Sequence, residues 1–358
     1  MLNARIKQLR SAMAQDALQA ILITHLPNIR YLCSFTGSSG ALLIAEDRST
    51  LFTDGRYCTQ AREEVKGAQV VIGKKAPALQ AVEWLAVHKR GRIALGMEGE
   101  HVTVATQAAI RRELPPRVRI KPVSSIVERQ RIVKDITELA RIRRAVQLGS
   151  GLFQHLLRAI RPGATELEVA AEIEYQARRA GAEGMSFEAI IASGKRSALP
   201  HGRASAAKIC NGFVVCDFGV ILAGYCSDMT RTVHVGQPSP AARIFYQAVL
   251  EAQQAALDSV RAGISTGEVD AAARKLLKKR GLEKFFTHST GHGVGLEIHE
   301  APRVAAGQNE ILEPGMVITI EPGAYVSGKW GVRIEDMVAV TERGCEVLTP
   351  TSKELVTI

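Results

Sequence analysis

The chain has 358 residues, 46% hydrophobic and 23% charged, with a formal net charge of +10; that length suits two domains and that balance excludes a disordered chain. No apolar run approaches the roughly 20 residues of a membrane span, and no signal-peptide pattern opens the sequence, so a cytoplasmic protein without membrane partners is expected. The basic excess does not read as a nucleic-acid surface: residues 1–127 hold 18 Lys and Arg against 10 Asp and Glu, scattered singly and in pairs, and aromatics are only 5%.

The opening stretch is amphipathic, with Leu2, Ile6, Leu9, Met13 and Leu18 recurring at helical intervals. AILIT at 20–24 reads as a strand, and GALLIA at 40–45 and STLFTD at 49–54 as a strand pair around the turn Glu46-Asp47-Arg48. A helix at 57–66, a strand at 68–73, a helix at 77–88, a strand at 91–98 and a helix at 103–113 follow. Strands alternating with helices at this spacing argue for an α/β sandwich of about 125 residues. Six cysteines, Cys33, Cys58, Cys210, Cys216, Cys226 and Cys345, form no CxxC pair and read as reduced, small core residues. A thiol nucleophile is the alternative.

KPVSSIVERQRIVKDITELARI at 121–142 passes from Pro and Ser through a charged connector into a long helix at 135–160. The domain boundary is placed here, giving domains 1–127 and 128–358. The long helix stops at Arg161-Pro162-Gly163, and a second one at 165–180 starts with Thr165 as cap and Glu168 at capping-box spacing. The arrangement returns with a helix at 238–261, a break at Arg261-Ala262-Gly263 and a helix capped by Thr266. Two related halves, each supplying a helix pair, are expected.

Two stretches read as hairpins carrying acids inside apolar strands. In GFVVCDFGVILAGYCSDMTRTVHV, Asp217 and Asp228 sit on opposite arms of a turn at Ala223-Gly224 and should face each other across the ladder. In GMVITIEPGAYVSGKWGVRIEDMVAV, Glu321 and Glu335 are symmetric about Gly328. Each acid alone has a plain structural alternative: Asp217 as a turn residue, Asp228 paired with Arg231, Glu321 as an exposed strand position, Glu335 paired with Arg333. Together they need a proton, a basic partner or a cation, because like charges opposite each other in a sheet are destabilising. Four carboxylates with an imidazole suit two divalent ions such as Mn, Co, Zn or Fe.

Between the hairpins lies HSTGHGVGLEIHE at 288–300. His288 and His292 have helical i, i+4 spacing, but Gly291, Gly293 and Gly295 speak against a helix, and the glutamate of the helical zinc motif HExxH is replaced by Ser289. The contexts CDFG, SDMTRT, STGHGVG, EPG and RIED, in this order, resemble the five-ligand set of the pita-bread metallopeptidases, which include aminopeptidase P, prolidase and methionine aminopeptidase. PNIRYLCSFTGSSGALLIA and LFTDGRY resemble the creatinase-type N-terminal domain of the proline-directed members, so the likeness spans nearly the whole chain. It implies an α/β (α+β) fold, a creatinase-like α/β domain followed by a pita-bread domain.

The resemblance further implies metal ligation by Asp217, Asp228, His292, Glu321 and Glu335, with Asp228 and Glu335 bridging two divalent ions, manganese favoured. It makes Glu321 the proton relay, His201, His288 and His299 substrate-side histidines, and Arg333 a neighbour of the bridging glutamate. Metal-dependent hydrolysis of Xaa-Pro bonds in short proline-containing peptides is then expected, in a homodimer. TGSSGALL and FTDGRY resemble the compact bacterial aminopeptidase P type, so release of the first residue by an Xaa-Pro aminopeptidase is the leading expectation and an Xaa-Pro dipeptidase the alternative. A non-catalytic relative of the same fold and a metal-free creatinase-like amidinohydrolase are the rivals from other classes.

Overall fold

The computed structural model describes residues 2–358 and divides the chain into two compact units, one ending at Arg131 and one spanning Ile132–Ile358. In the first, α1 (Leu2–Gln15), β1 (Ala20–Ile23), α2 (Leu26–Cys33), β2 (Ala41–Ala45), β3 (Ser49–Asp54), α3 (Cys58–Glu64), β4 (Gln69–Gly73), α4 (Pro77–His88), β5 (Ile93–Glu98), α5 (Val104–Glu113) and β6 (Val118–Val123) follow in order. One sheet takes all six strands in the order β4-β3-β2-β1-β5-β6, antiparallel across β1–β2 and β2–β3 and parallel elsewhere. α2 and β6 are additions to the sequence reading. Pro27 lies in the first turn of α2, where a missing N–H costs nothing, and Pro122 lies in an edge strand, which tolerates it.

The short α6 (Glu128–Ile132) leads into α7 (Ile136–Ala159) and α8 (Glu166–Arg179) of the second unit. There β7 (Gly184–Met185), β8 (Ile190–Ser193), β9 (Gly212–Phe218), β10 (Val220–Leu222), β11 (Tyr225–Cys226) and β12 (Met229–Val235) precede α9 (Pro240–Ser259) and α10 (Thr266–Lys279). β13 (Gly291–Gly293), β14 (Glu300–Val304), β15 (Val317–Ile320), β16 (Gly323–Val326), β17 (Trp330–Arg333), β18 (Asp336–Val340) and β19 (Cys345–Val347) complete it. The sheet β12-β9-β8 packs apolar side chains such as Val214 and Phe218 on α7 and α8, while Ile318 and Val338 of the sheet β14-β13-β15-β18-β19 pack on α9 and α10.

α8 and α10 both start with a capping box, Thr165 with Glu168 and Ser265 with Glu268. The cap of α10 is therefore Ser265 and not Thr266, which is already the first helical residue. No helix among the described residues is long and apolar enough to cross a membrane.

Candidate metal centre

A cleft of about 710 Å³ in the second unit is lined by Asp217, Asp228, His292, Glu321, Arg333 and Glu335, with His201, His288, His299 and Arg303 around them. Phe187, Ile190 and Ile298 add an apolar face. Every acid comes from a strand end. Asp217 is the penultimate residue of β9, Asp228 precedes β12, Glu321 follows β15, and Glu335 lies between β17 and β18.

The first pair does not sit directly opposite. The ladder pairs Asp217 with Thr230, because the turn is centred between Ala223 and Gly224, both at positive φ as a two-residue type I′ turn requires. Asp228 is thus a diagonal neighbour of Asp217 on the same face. The second pair keeps its symmetry: Ile320 pairs with Asp336 and Gly323 with Arg333, and this common register sets Glu321 opposite Glu335 across the gap between the two ladders.

His292 reaches the cleft from a strand. A Cβ on Gly291 would overlap the Thr319 carbonyl oxygen, and one on Gly293 the Ala301 carbonyl oxygen, so only glycine admits such close neighbouring strands. Nδ1 of His292 donates to Gly293 O at 3.0 Å, which leaves Nε2 with its lone pair facing Asp228 Oδ2 at 3.6 Å and Glu321 Oε1 at 3.5 Å. Burial lowers its pKa to about 4, so the ring is neutral at pH 7, the form a metal requires.

The carboxylates are shifted the other way. Burial, then the charges of Glu335, Asp217 and Glu321, raise the Asp228 carboxyl well above its ordinary range. Burial, then Glu321 and Asp217, do the same to Glu335. Glu321 is raised chiefly by burial, opposed by Arg333. Arg333 is the one arginine bonded to this group among the described residues. Its Nη2 donates to Asp217 Oδ2 at 2.5 Å, its Nε to Thr230 Oγ1 at 3.1 Å, and Thr230 in turn donates to Glu335 Oε2 at 2.8 Å. The alternative pairings fall away: Arg231 bonds Asp336, and Arg333 bonds Asp217.

The residues fit divalent cations. Asp228, His292 and Glu335 each offer a ligand atom, all within 4.8 Å of one another. Oδ1 of Asp217 and Oδ1 of Asp228 are buried with no hydrogen-bond partner among the described residues. A buried carboxylate oxygen without a donor is costly, and a cation is the partner that satisfies several at once. Oxygen donors with a single imidazole suit borderline-hard ions rather than soft ones.

The histidines divide. His201 and His299 are exposed at the cleft, and the His299 ring meets that of His292 edge-on at 4.4 Å. His288 lines the cleft too, but its ring nitrogens are engaged, Nδ1 with Ser289 O at 2.8 Å and Nε2 with Tyr325 Oη at 2.9 Å. Tyr325 also accepts from Arg333 Nη1 at 2.8 Å, so a continuous chain runs from His288 through Tyr325 and Arg333 to Asp217. Thr230, Tyr325 and Arg303 were not singled out in the sequence. Thr230 had a signal, two residues beyond Asp228 and hence on its face of the strand; the other two depend on strand pairings that spacing alone does not reveal.

Residues 140–342 match the model of metallopeptidase family M24, and residues 5–133 that of the creatinase/prolidase N-terminal domain. The chain is 36% identical over 360 residues to an Xaa-Pro dipeptidase of Pyrococcus horikoshii, covering 99% of both chains. Among solved structures it is similar to an Xaa-Pro dipeptidase from Bacillus anthracis, at 40% identity and TM-score 0.96 over 100% of both chains. It is also similar to an X-Pro aminopeptidase from Thermotoga maritima, at 36% identity and TM-score 0.89, covering 96% of this chain and 98% of that one.

Proposed function

The chain belongs to metallopeptidase family M24, and from that premise we propose that it hydrolyses Xaa-Pro bonds of short peptides with two divalent cations held by Asp217, Asp228, His292, Glu321 and Glu335. The observation that carries this reading is the convergence of four carboxylates and one neutral imidazole on a single cleft, with two buried carboxylate oxygens lacking donors. Bound cations supply Lewis-acid polarisation of the scissile carbonyl and activation of water. Manganese as the metal and a homodimer as the working form belong to the same proposal.

The chain's own groups do the rest. Glu321, whose proton affinity is raised by burial and which bound cations would keep ionised, takes a proton as carboxylate from the attacking water and delivers it to the proline nitrogen. Like any amide nitrogen it has to be protonated to leave, and as a tertiary amide without an N–H it offers no donor for recognition. His299, exposed beside His292, donates to the developing oxyanion, an interaction typically worth about 3–4 kcal/mol. His201, in the lining of the cleft, contacts substrate, and His288 acts through Tyr325 on Arg333.

Two exopeptidase modes remain to be separated. The aminopeptidase expectation has the Thermotoga enzyme in its favour, while the Pyrococcus and Bacillus enzymes favour a dipeptidase. Arg303 tips our reading to dipeptides. It lines the cleft opposite His292 in the β13–β14 ladder, where its guanidinium can pair the free carboxylate of an Xaa-Pro dipeptide. The test compares kcat/KM for an Xaa-Pro dipeptide and the matching Xaa-Pro-Yaa tripeptide, in the parent and in Arg303→Gln. We expect the dipeptide to be preferred and the substitution to raise its KM alone; preference for the tripeptide, indifferent to Arg303, would return the reading to an aminopeptidase.

A further inference from the structure

Behind the cleft lies a second set of charges that the proposed chemistry does not use. Neighbouring residues of a strand leave opposite faces, so Thr230 and Arg231 diverge, as do Glu335 and Asp336. On the cleft side Thr230 Oγ1 donates to Glu335 Oε2 at 2.8 Å. On the opposite side Arg231 Nη2 donates to Asp336 Oδ1 at 2.7 Å. The same two strand ends are thus joined twice, back to back, once by a pair facing the cleft and once by a buried ion pair.

Arg231 is 1% exposed and its guanidinium makes five hydrogen bonds. Nε donates to Ser352 O at 3.0 Å, Nη2 also to Thr351 O at 2.6 Å, and Nη1 to Thr230 O at 2.9 Å and to the carbonyl of Glu335. The other carboxylate oxygen of Asp336 accepts from Lys353 Nζ and Gln253 Nε2, each at 2.9 Å. The segment holding Lys353 is itself fixed, by Tyr246 Oη on the Lys353 carbonyl at 2.9 Å and by bonds between His234 and Val356 and Ile358 at 2.9 Å each.

A buried ion pair is not needed for stability, since apolar residues of similar volume often serve as well or better. Its best-attested use is to specify register, alongside the turns and the apolar pattern. A slip of one residue would turn Asp336 into the cleft and Glu335 away from it. We propose that Arg231 is a positioning residue for the metal centre: it joins Asp336, the Glu335 carbonyl and the backbone of Thr351 and Ser352, and so fixes the strand ends bearing Asp228 and Glu335 in the register that turns both carboxylates into the cleft. This rests on the reading that those carboxylates hold metal.

The test measures Mn²⁺ affinity by calorimetry, and Tm with and without Mn²⁺, for the parent, Arg231→Lys and the double variant Arg231→Met with Asp336→Leu. We expect both variants to fold, the double variant at a lower metal-free Tm because the carbonyls of Thr351 and Ser352 and the Gln253 amide lose partners, and Mn²⁺ affinity to fall roughly 10–100-fold, as for other residues that orient ligands. The rise in Tm on adding Mn²⁺ should shrink accordingly. A merely structural role would shift Tm equally with and without the ion and leave affinity alone. A folded variant binding Mn²⁺ with parental affinity overturns the proposal, and so does an Arg231→Lys chain that fails to fold. A parent that binds no Mn²⁺ rejects the metal reading itself, whereas a binding parent with unaffected variants rejects only the role of Arg231.

Discussion

Arg333 Nη2 and Asp217 Oδ2 meet at 2.5 Å, both buried, and Oδ1 of the same carboxylate has no hydrogen-bond partner among the described residues. One oxygen is thus neutralised by a guanidinium and the other is left for a cation. The remaining donors of Arg333 reach Pro200 O, Tyr325 Oη and Thr230 Oγ1, which join the His201 loop, the His288 chain and the Glu335 side.

A lysine at 333 would keep the charge and lose that fork. Arg333→Lys should fold with a lowered Tm, since buried acceptors lose donors, and lose about 10–100-fold in kcat/KM, the range for residues that orient metal ligands. Steady-state kinetics on an Xaa-Pro substrate, with Tm as control, check it; parental kcat/KM would mean that only the charge matters.

His288 gives a pH dependence with a defined sign. Burial, then the charge of Arg333, lowers its pKa to about 3, while in the unfolded chain it titrates near 6.5. The unfolded state therefore takes up a proton that the folded state refuses, and the stability this group contributes is present above about pH 6.5 and lost as pH falls. At pH 5, discounted for the partial exposure of the ring, the loss amounts to about 1 kcal/mol. Denaturant midpoints at pH 7, 6 and 5 for the parent and His288→Gln should show the variant losing less stability on acidification; parallel curves would contradict it.

The glycines around His292 make a steric prediction. Gly291→Ala and Gly293→Ala place a methyl against the backbone oxygens of Thr319 and Ala301, which cannot rotate away. Each should cost about 1–3 kcal/mol by overpacking and weaken metal binding by displacing the imidazole. Chemical denaturation and a metal titration on each variant check both effects, and an alanine accepted without loss would show the strands to be more widely spaced.

Much of this arrangement was legible in the sequence because turn residues fix register. The Ser327-Gly328-Lys329 turn, with Gly328 at positive φ, set Glu321 opposite Glu335 as expected. The offset of Asp217 and Asp228 was missed because the Ala223-Gly224 turn has its centre one position beyond their midpoint, and a small error at a turn moves every cross-strand partner. α2 was hidden by its proline and β14 by its Pro302 and the charges of Glu300 and Arg303. Tyr325, Arg303 and the Arg231–Asp336 pair could not be foreseen, since partners far apart in sequence meet only once the strands are placed.

Metal stoichiometry tests the central claim most directly. Protein stripped with chelator and titrated with Mn²⁺ should bind two ions per chain and regain peptidase activity, and Asp228→Asn should bind fewer than two and remain inactive while staying folded. A stripped protein that is fully active, or an Asp228→Asn variant that binds two ions and turns over like the parent, would contradict a metal centre built from these five residues.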